Sequence, residues 1–333
     1  MNLFSSLFSK PNVEILINEI PKRRNVYLRD EFHKRIKLPS FYDRENIEGK
    51  IIIFTNGNSL SLQGIKIQIL GIIENKKEQN KNLIFIKLTK DLSPPSNLIN
   101  EINSFQYSFN NVEKSYESYR GINFNVKYLL RAIIETKFRS LIWEREFGVI
   151  KPQKKEALEL LNDPIEMNAG IENFLHLSFI LDRSKYSTKD VITGRIIFKK
   201  VSFKLKMMAL EIIKKESDHN GKIISNLTLC KFEIMDGAPI KNEIIPIRFF
   251  LSPYELSPTY KNINNTFSVR YYINLIIFDS KDKRYYKQHE IILYRIPRIL
   301  WIIFKFFTFL IIDSFDIKIN FMNKIYKKCT FLK

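Results

Sequence analysis

Apolar and polar residues alternate one by one along most of this chain. Ile65, Ile67 and Ile69 fall on one side, Lys66 and Gln68 on the other; Phe203, Leu205 and Met207 alternate likewise with Lys204 and Lys206. A period of two belongs to a strand with one dry face and one wet face, because successive side chains leave opposite sides of the pleat. It fits antiparallel sheets, since the strands of a parallel sheet are covered on both faces and read as unbroken apolar runs. Turn residues separate the runs: Asn56-Gly57-Asn58, Pro94-Pro95-Ser96-Asn97, Asp218-His219-Asn220-Gly221, Asp236-Gly237 and Asp279-Ser280-Lys281-Asp282. Many short strands punctuated in this way predict a β-sandwich. One short stretch reads as helix, Lys154 to Leu161, and Asn162-Asp163-Pro164 stops it.

The pattern also repeats. Ile47-Glu48-Gly49-Lys50-Ile51-Ile52 returns as Ile192-Thr193-Gly194-Arg195-Ile196-Ile197, 145 residues further on. Phe124-Asn125-Val126-Lys127-Tyr128 returns as Phe267-Ser268-Val269-Arg270-Tyr271, 143 residues further on. In this second pair Phe, Val and Tyr should face the core, and Asn, Lys, Ser and Arg the solvent. Two matched segments in one order at nearly one displacement argue for a duplicated globular unit. The spacing lies far above the roughly 20–50 residues of solenoid and propeller repeats. A chain of 333 residues accommodates two such units. The expected division is a first sandwich over 1–150, a connector over 151–165, a second sandwich over 166–297 and a divergent tail over 298–333.

Composition sharpens this picture only in part. With 45% hydrophobic and 27% charged residues the chain is globular. A net charge of +19 suits an anionic membrane leaflet or a nucleic acid. It equally suits compositional drift, because the basic residues are spread along a chain rich in Lys, Asn, Ile and Phe. Cys230 and Cys329 stand too far apart in the chain for a disulfide framework or a cysteine-based zinc site. The start, Met1 to Lys10, lacks a positive n-region and a sustained apolar stretch, so a cytosolic protein is expected. The sequons at Asn226 and Asn264 would then have no role. In the tail, Ile299 to Ile312 is apolar except for Lys305 and Thr308, and Lys324, Lys327 and Lys328 follow. That is shorter than the roughly 20 residues of a spanning helix. An interfacial anchor, an added packed element and a mistaken gene model all remain open.

No constellation for catalysis emerges. His33, His176, His219 and His289 are scattered, and His176 reads as structural. Nucleophile elbows, glycine-rich phosphate loops and metal-ligand spacings are missing. Asp279 with Asp282, and Asp313 with Asp316, read as solvated surface. No catalytic residue, cofactor site or metal site is therefore assigned, and a binding module is expected. Two segments suit that role. Phe232-Glu233-Ile234-Met235-Asp236-Gly237-Ala238-Pro239 runs a strand into an Asp-Gly turn. There Ile234 and Met235 are either an exposed apolar tip or ordinary core residues, and spacing does not choose. Val112 to Gly121 is an aromatic-polar loop that reads as a packing corner more readily than as a site.

These same strings resemble the arrestin-like subunit of retromer, the vacuolar protein sorting-associated protein 26 family. Val112-Glu113-Lys114-Ser115-Tyr116-Glu117-Ser118-Tyr119 is similar to the family's V-E-K-P-Y-E-S-Y, and Glu233 to Pro239 reproduces E-I-M-D-G-A-P. Gly170-Ile171-Glu172, Ser184-Lys185-Tyr186 with Lys189-Asp190-Val191-Ile192, Ile245 to Arg248, Phe267 to Tyr271 and Gln288 to Leu293 extend the likeness from about residue 10 to about 296. The resemblance implies an all-β fold of two tandem arrestin-like β-sandwich domains and no enzymatic activity. It implies docking on retromer's α-solenoid subunit, of the vacuolar protein sorting-associated protein 35 type, through an exposed loop at Ile234, Met235, Asp236 and Gly237. A sorting nexin and the cytosolic tails of transmembrane cargo would meet a sheet edge at Ala169, Gly170 and Tyr286, where the family usually carries a larger aliphatic residue and phenylalanine. The protein would act in the cytoplasm, on the endosomal membrane surface through its complex, without nucleic acid.

Two other readings compete with this one. Arrestin-fold adaptors that recruit ubiquitin ligases carry Pro-Pro-x-Tyr motifs, and Pro94-Pro95-Ser96-Asn97 is not one. A sugar-cleaving sandwich enzyme would need two carboxylates about 5–10 Å apart in a cleft, and no pair stands out.

Overall fold

A computed structural model describes residues 11–18, 24–29, 34–55, 59–78, 82–153, 162–171, 174–202, 204–237 and 239–297. The expected helix at 154–161, the turn at 56–58, His33, Phe203 and the tail from 298 onward lie outside the described residues.

Every regular element among the described residues is a strand. The first half supplies β1 (Asn12–Ile17), β2 (Asn25–Arg29), β3 (Arg35–Phe41), β4 (Ile47–Phe54), β5 (Leu60–Leu62) and β6 (Gly64–Asn75). It continues with β7 (Asn82–Ser93), β8 (Ser96–Leu98), β9 (Ile102–Phe109), β10 (Tyr119–Arg120), β11 (Phe124–Glu135) and β12 (Ser140–Val149). One sheet runs β1-β4-β9, the facing one β2-β3-β12-β11-β6-β7, with β10 beside β11 and a small β5-β8 ribbon. The second half supplies β13 (Ile165–Ile171), β14 (Leu175–Leu181), β15 (Lys185–Ser187), β16 (Val191–Val201) and β17 (Leu205–Asp218). It ends with β18 (Ile223–Asp236), β19 (Ile244–Phe250), β20 (Tyr260–Ile263), β21 (Phe267–Asp279) and β22 (Arg284–Tyr294). Its sheets run β13-β14-β16-β19 and β15-β22-β21-β17-β18, with β20 beside β21.

The duplication is visible in this order. The run β12-β11-β6-β7 has its counterpart in β22-β21-β17-β18, and the repeated Phe opens β11 and β21 alike. Even the parallel pairs correspond, β3 on β12 and β15 on β22. Equivalent tyrosines do equivalent work. Tyr128 Oη donates to Tyr116 O at 2.6 Å and accepts from Tyr116 N–H. Tyr271 Oη accepts from Ser257 N–H and shares a 2.8 Å hydrogen bond with Ser257 Oγ. Each phenol thus ties the loop ahead of its strand to the strand itself.

The alternation holds where strands are regular and fails where local devices intervene. Ile65, Ile67 and Ile69 are fully buried, as expected. In β17 an irregularity between Leu205 and Met207 resets the pleat, so Met208 is buried and Met207 only half-buried. Asn125 and Ser268, expected to face solvent, are buried. Asn125 donates to Glu74, and Ser268 accepts from Asn262 N–H. Asp279 is also buried rather than solvated: its Oδ1 accepts from Lys281 and Lys283 N–H and closes the β21–β22 hairpin. Asp218 closes the β17–β18 hairpin in the same way, with Gly221 supplying the positive φ of +79°. His176 lies exposed on the outer face of β14.

Candidate docking surfaces

The segment Ile234 to Gly237 closes β18, which among the described residues is the last strand of its sheet and pairs only with β17. Its register slips between Met208 and Ala209: Met235 lies opposite Met208 and Glu233 opposite Ala209, so Ile234 is the extra residue of a bulge. Bulges re-aim side chains and tighten strand twist. Gly237 then takes φ +102° while donating its N–H to Lys206 O at 2.9 Å, which turns the chain away. Ile234 and Met235 are half-buried and pack against the core; Asp236 is exposed. Spacing offered exposed tip or core and the resemblance implied exposure; both apolar side chains lie between the two.

The larger apolar exposure lies just beyond, where the sequence offered no signal. Ile240 is 72% exposed, and its loop is braced by Glu243 accepting the Ile240 N–H. Phe232 on β18 and Ile244 on β19 are exposed as well. Phe232 meets Phe249 of β19 edge-to-face at 6.2 Å, so the free edges of the two sheets approach each other here.

Ala169 and Gly170 lie at the opposite seam. They belong to β13, the outermost strand of its sheet, with Ala169 opposite Leu177 and Gly170 opposite His176. A Cβ at Gly170 would stand 2.6 Å from Leu175 O, so this close backbone approach needs glycine. Tyr286 is 69% exposed on β22, whose outer side is covered by β15 only at Ile292 to Tyr294. Asn162, just ahead of β13, ties the seam together: its side-chain oxygen accepts from Ser184 and Lys185 N–H at the start of β15. Among the described residues, both edges thus keep unpaired stretches of backbone on this side.

A third cluster was not anticipated, the joint between the sandwiches. Glu216 of β17 is 1% exposed and accepts four hydrogen bonds: Tyr119 Oη at 2.7 Å, Ile122 and Asn123 N–H at 2.9 Å, and Asn123 Nδ2 at 3.0 Å. Burial alone would raise its pKa, but these donors and the nearby Lys214 charge win, and the carboxyl stays below its ordinary value. Desolvation pushes Lys214 down to about 8, with Glu216 opposing and Lys76 reinforcing. On the other flank Arg295 Nε and Nη2 each reach Glu117 Oε1 at 2.8 Å, while Glu117 Oε2 accepts Lys151 N–H. The 112–121 loop is the packing corner expected of it, built around buried Lys114, which donates to the Glu45 and Val112 carbonyls.

The family model for Vacuolar protein sorting-associated protein 26 matches residues 8–282. The chain belongs to this family. It is 42% identical over 287 residues to Vacuolar protein sorting-associated protein 26B of Homo sapiens, covering 85% of this chain and 84% of that one. Against Vacuolar protein sorting-associated protein 26B-like of Danio rerio the identity is 39% over 296 residues, covering 88% and 89%. Membership makes the chain a retromer subunit of a non-enzymatic protein-sorting family, and the tandem all-strand sandwiches are the fold the resemblance implied. Among the described residues, no group of three or more His, Cys, Asp or Glu could hold a metal ion, and no helix is long and apolar enough to cross a membrane.

Proposed function

We propose that this chain is the arrestin-like adaptor of a retromer coat, joining an α-solenoid subunit on one seam of its second sandwich to cargo tails on the other. The observation that carries the reading is that the family residues Glu233 to Gly237 lie at the end of a strand that is an edge among the described residues, close in the chain to the exposed Ile240. Covering an apolar side chain of that size contributes about 1.5–3 kcal/mol before association costs. Ile240 has most of this gain available, whereas half-buried Ile234 and Met235 have less.

The cargo seam fits strand addition, in which an extended peptide gains backbone hydrogen bonds from a sheet edge and specificity from side-chain pockets. Ala169 and Tyr286 would line such a pocket, with a sorting nexin alongside. The smaller Ala169 leaves room and the Tyr286 phenol adds a polar tip, so cargo preference shifts from relatives with a larger aliphatic residue and phenylalanine. The site of action is the cytoplasmic surface of endosomes, reached through the complex. Affinity capture from the native cell followed by mass spectrometry tests this. Recovery of a large helical-repeat subunit with a small metallophosphatase-like subunit supports the reading; recovery of a ubiquitin ligase in their place overturns it.

A further inference from the structure

The outer face of the β22-β21-β17 sheet holds a pocket of about 380 Å³ near the joint, lined by Lys215, Ser217, His219, Asn262, Ser268 and Arg270 among others. Lys215 and Arg270 stand directly opposite each other on neighbouring antiparallel strands. Like charges in that position destabilise a sheet. The duplication provides an internal comparison. In the first sandwich the equivalent pair is Ile72 opposite Lys127, and Lys127 is matched by Glu74 at 2.5 Å. The second sandwich has a lysine where the first has isoleucine.

The neighbours hold the two cations and neutralise them only in part. Lys215 Nζ donates to the neutral Gln288 at 2.8 Å and stands 4.3 Å from the Tyr272 ring. Arg270 reaches Glu290 at 3.5 Å, a partly exposed and weak pair. Asp218 lines the pocket too and keeps its negative charge, with Oδ1 turned to the N–H groups of Asn220 and Lys222 in the hairpin. Ser268 Oγ accepts from Asn262 N–H, which leaves its own proton to donate inward. A local conflict that the fold does not need is characteristic of a ligand site.

We propose that this pocket binds a phosphomonoester, with the phosphate between Lys215 and Arg270 and its remaining oxygens toward His219 and the serine hydroxyls. Two charge-assisted contacts to a dianion relieve the repulsion across the strands. A phosphorylated lipid headgroup and a free inositol phosphate both present this group.

The full-length chain is titrated with inositol hexakisphosphate, and separately sedimented with phosphatidylcholine vesicles with and without a phosphatidylinositol monophosphate. Lys215→Glu should weaken binding about tenfold or more, yet raise Tm, because it replaces a like-charge cross-strand pair with an opposite one. Lys215→Gln should weaken binding as well. Lys200→Glu, the same charge change at an exposed position on the other sheet, should leave affinity within about twofold of wild type. Sedimentation with the phosphorylated vesicles assigns the lipid as the source; binding of the soluble probe alone assigns a free phosphate. The proposal is overturned if wild type binds neither probe, if Lys215→Glu and Lys215→Gln bind as wild type does, or if Lys200→Glu weakens binding equally.

Discussion

The rings of Phe124 and Phe267 stack across the joint, their centroids 4.5 Å apart and their planes 10° from parallel. These two residues are each other's counterparts in the repeat, so equivalent positions of the two sandwiches touch directly, as in a two-fold interface. Both are buried, and Tyr119 stacks on Phe267 from the first sandwich. Truncating either ring to alanine should cost about 3–5 kcal/mol. A double-mutant cycle on urea unfolding should return about 0.5–1.5 kcal/mol of coupling between them. Coupling near zero would mean that each ring packs independently.

Glu216 fixes the sandwiches against each other through four hydrogen bonds from Tyr119, Ile122 and Asn123. Glu216→Ala leaves the Tyr119 hydroxyl and the Asn123 N–H and side-chain amide buried without this acceptor, a loss of about 3–5 kcal/mol. Scanning calorimetry should then resolve two transitions in place of one, and the Ile122 and Asn123 amides should exchange faster. A single transition, shifted as a whole, would show that other contacts carry the coupling.

Buried Lys114 gives the chain an unusual alkaline response. Desolvation lowers its pKa from 10.5 to about 8, with Glu45 and Asp43 opposing. Between these values the unfolded chain binds the extra proton, so stability rises with pH. Tyr186 and Tyr271 act the other way: burial lifts each from 10.0 to about 12, so the stability they contribute below pH 10 is lost as pH climbs toward 12. Tm measured against pH should therefore peak between about 9 and 10, and Lys114→Met should make the rising limb shallower, leaving the part that Lys214 contributes. A rising limb unchanged in that variant would assign it to another group.

Tyr286 stands out from the edge it shares, so its replacement should not disturb folding. Tyr286→Asp should keep unfolding free energy within about 0.5 kcal/mol of wild type. Titration of a cargo-tail peptide in the presence of the sorting nexin should weaken about tenfold. An unaltered titration would remove Tyr286 from the cargo pocket.

How much of this was legible depends on sequence distance. Strands and duplication could be read because their signals are local: a period of two, and the Phe-x-Val-x-Tyr string that starts β11 and β21. Positions where side chains bend a local rule could not. Asp279 looks like any acidic turn residue until its carboxylate is found accepting two amides. Glu216 and Asn123 are 93 residues apart, and Glu117 and Arg295 are 178, so nothing in either neighbourhood marks them as partners. The segment Ile234 to Gly237 carries a family string, but neither string nor spacing reveals that Ile234 occupies a bulge or that Ile240 carries the larger exposure.

The central claim is that the β18 edge and its following loop bind the solenoid subunit. Isothermal titration of the purified solenoid with wild type, Ile240→Asp and the Ile234→Asp/Met235→Asn double variant tests it most directly. Affinity should fall at least about tenfold for Ile240→Asp, with its unfolding transition unchanged, and by less for the double variant, whose side chains are half-buried. Wild-type affinity in both would contradict the assignment.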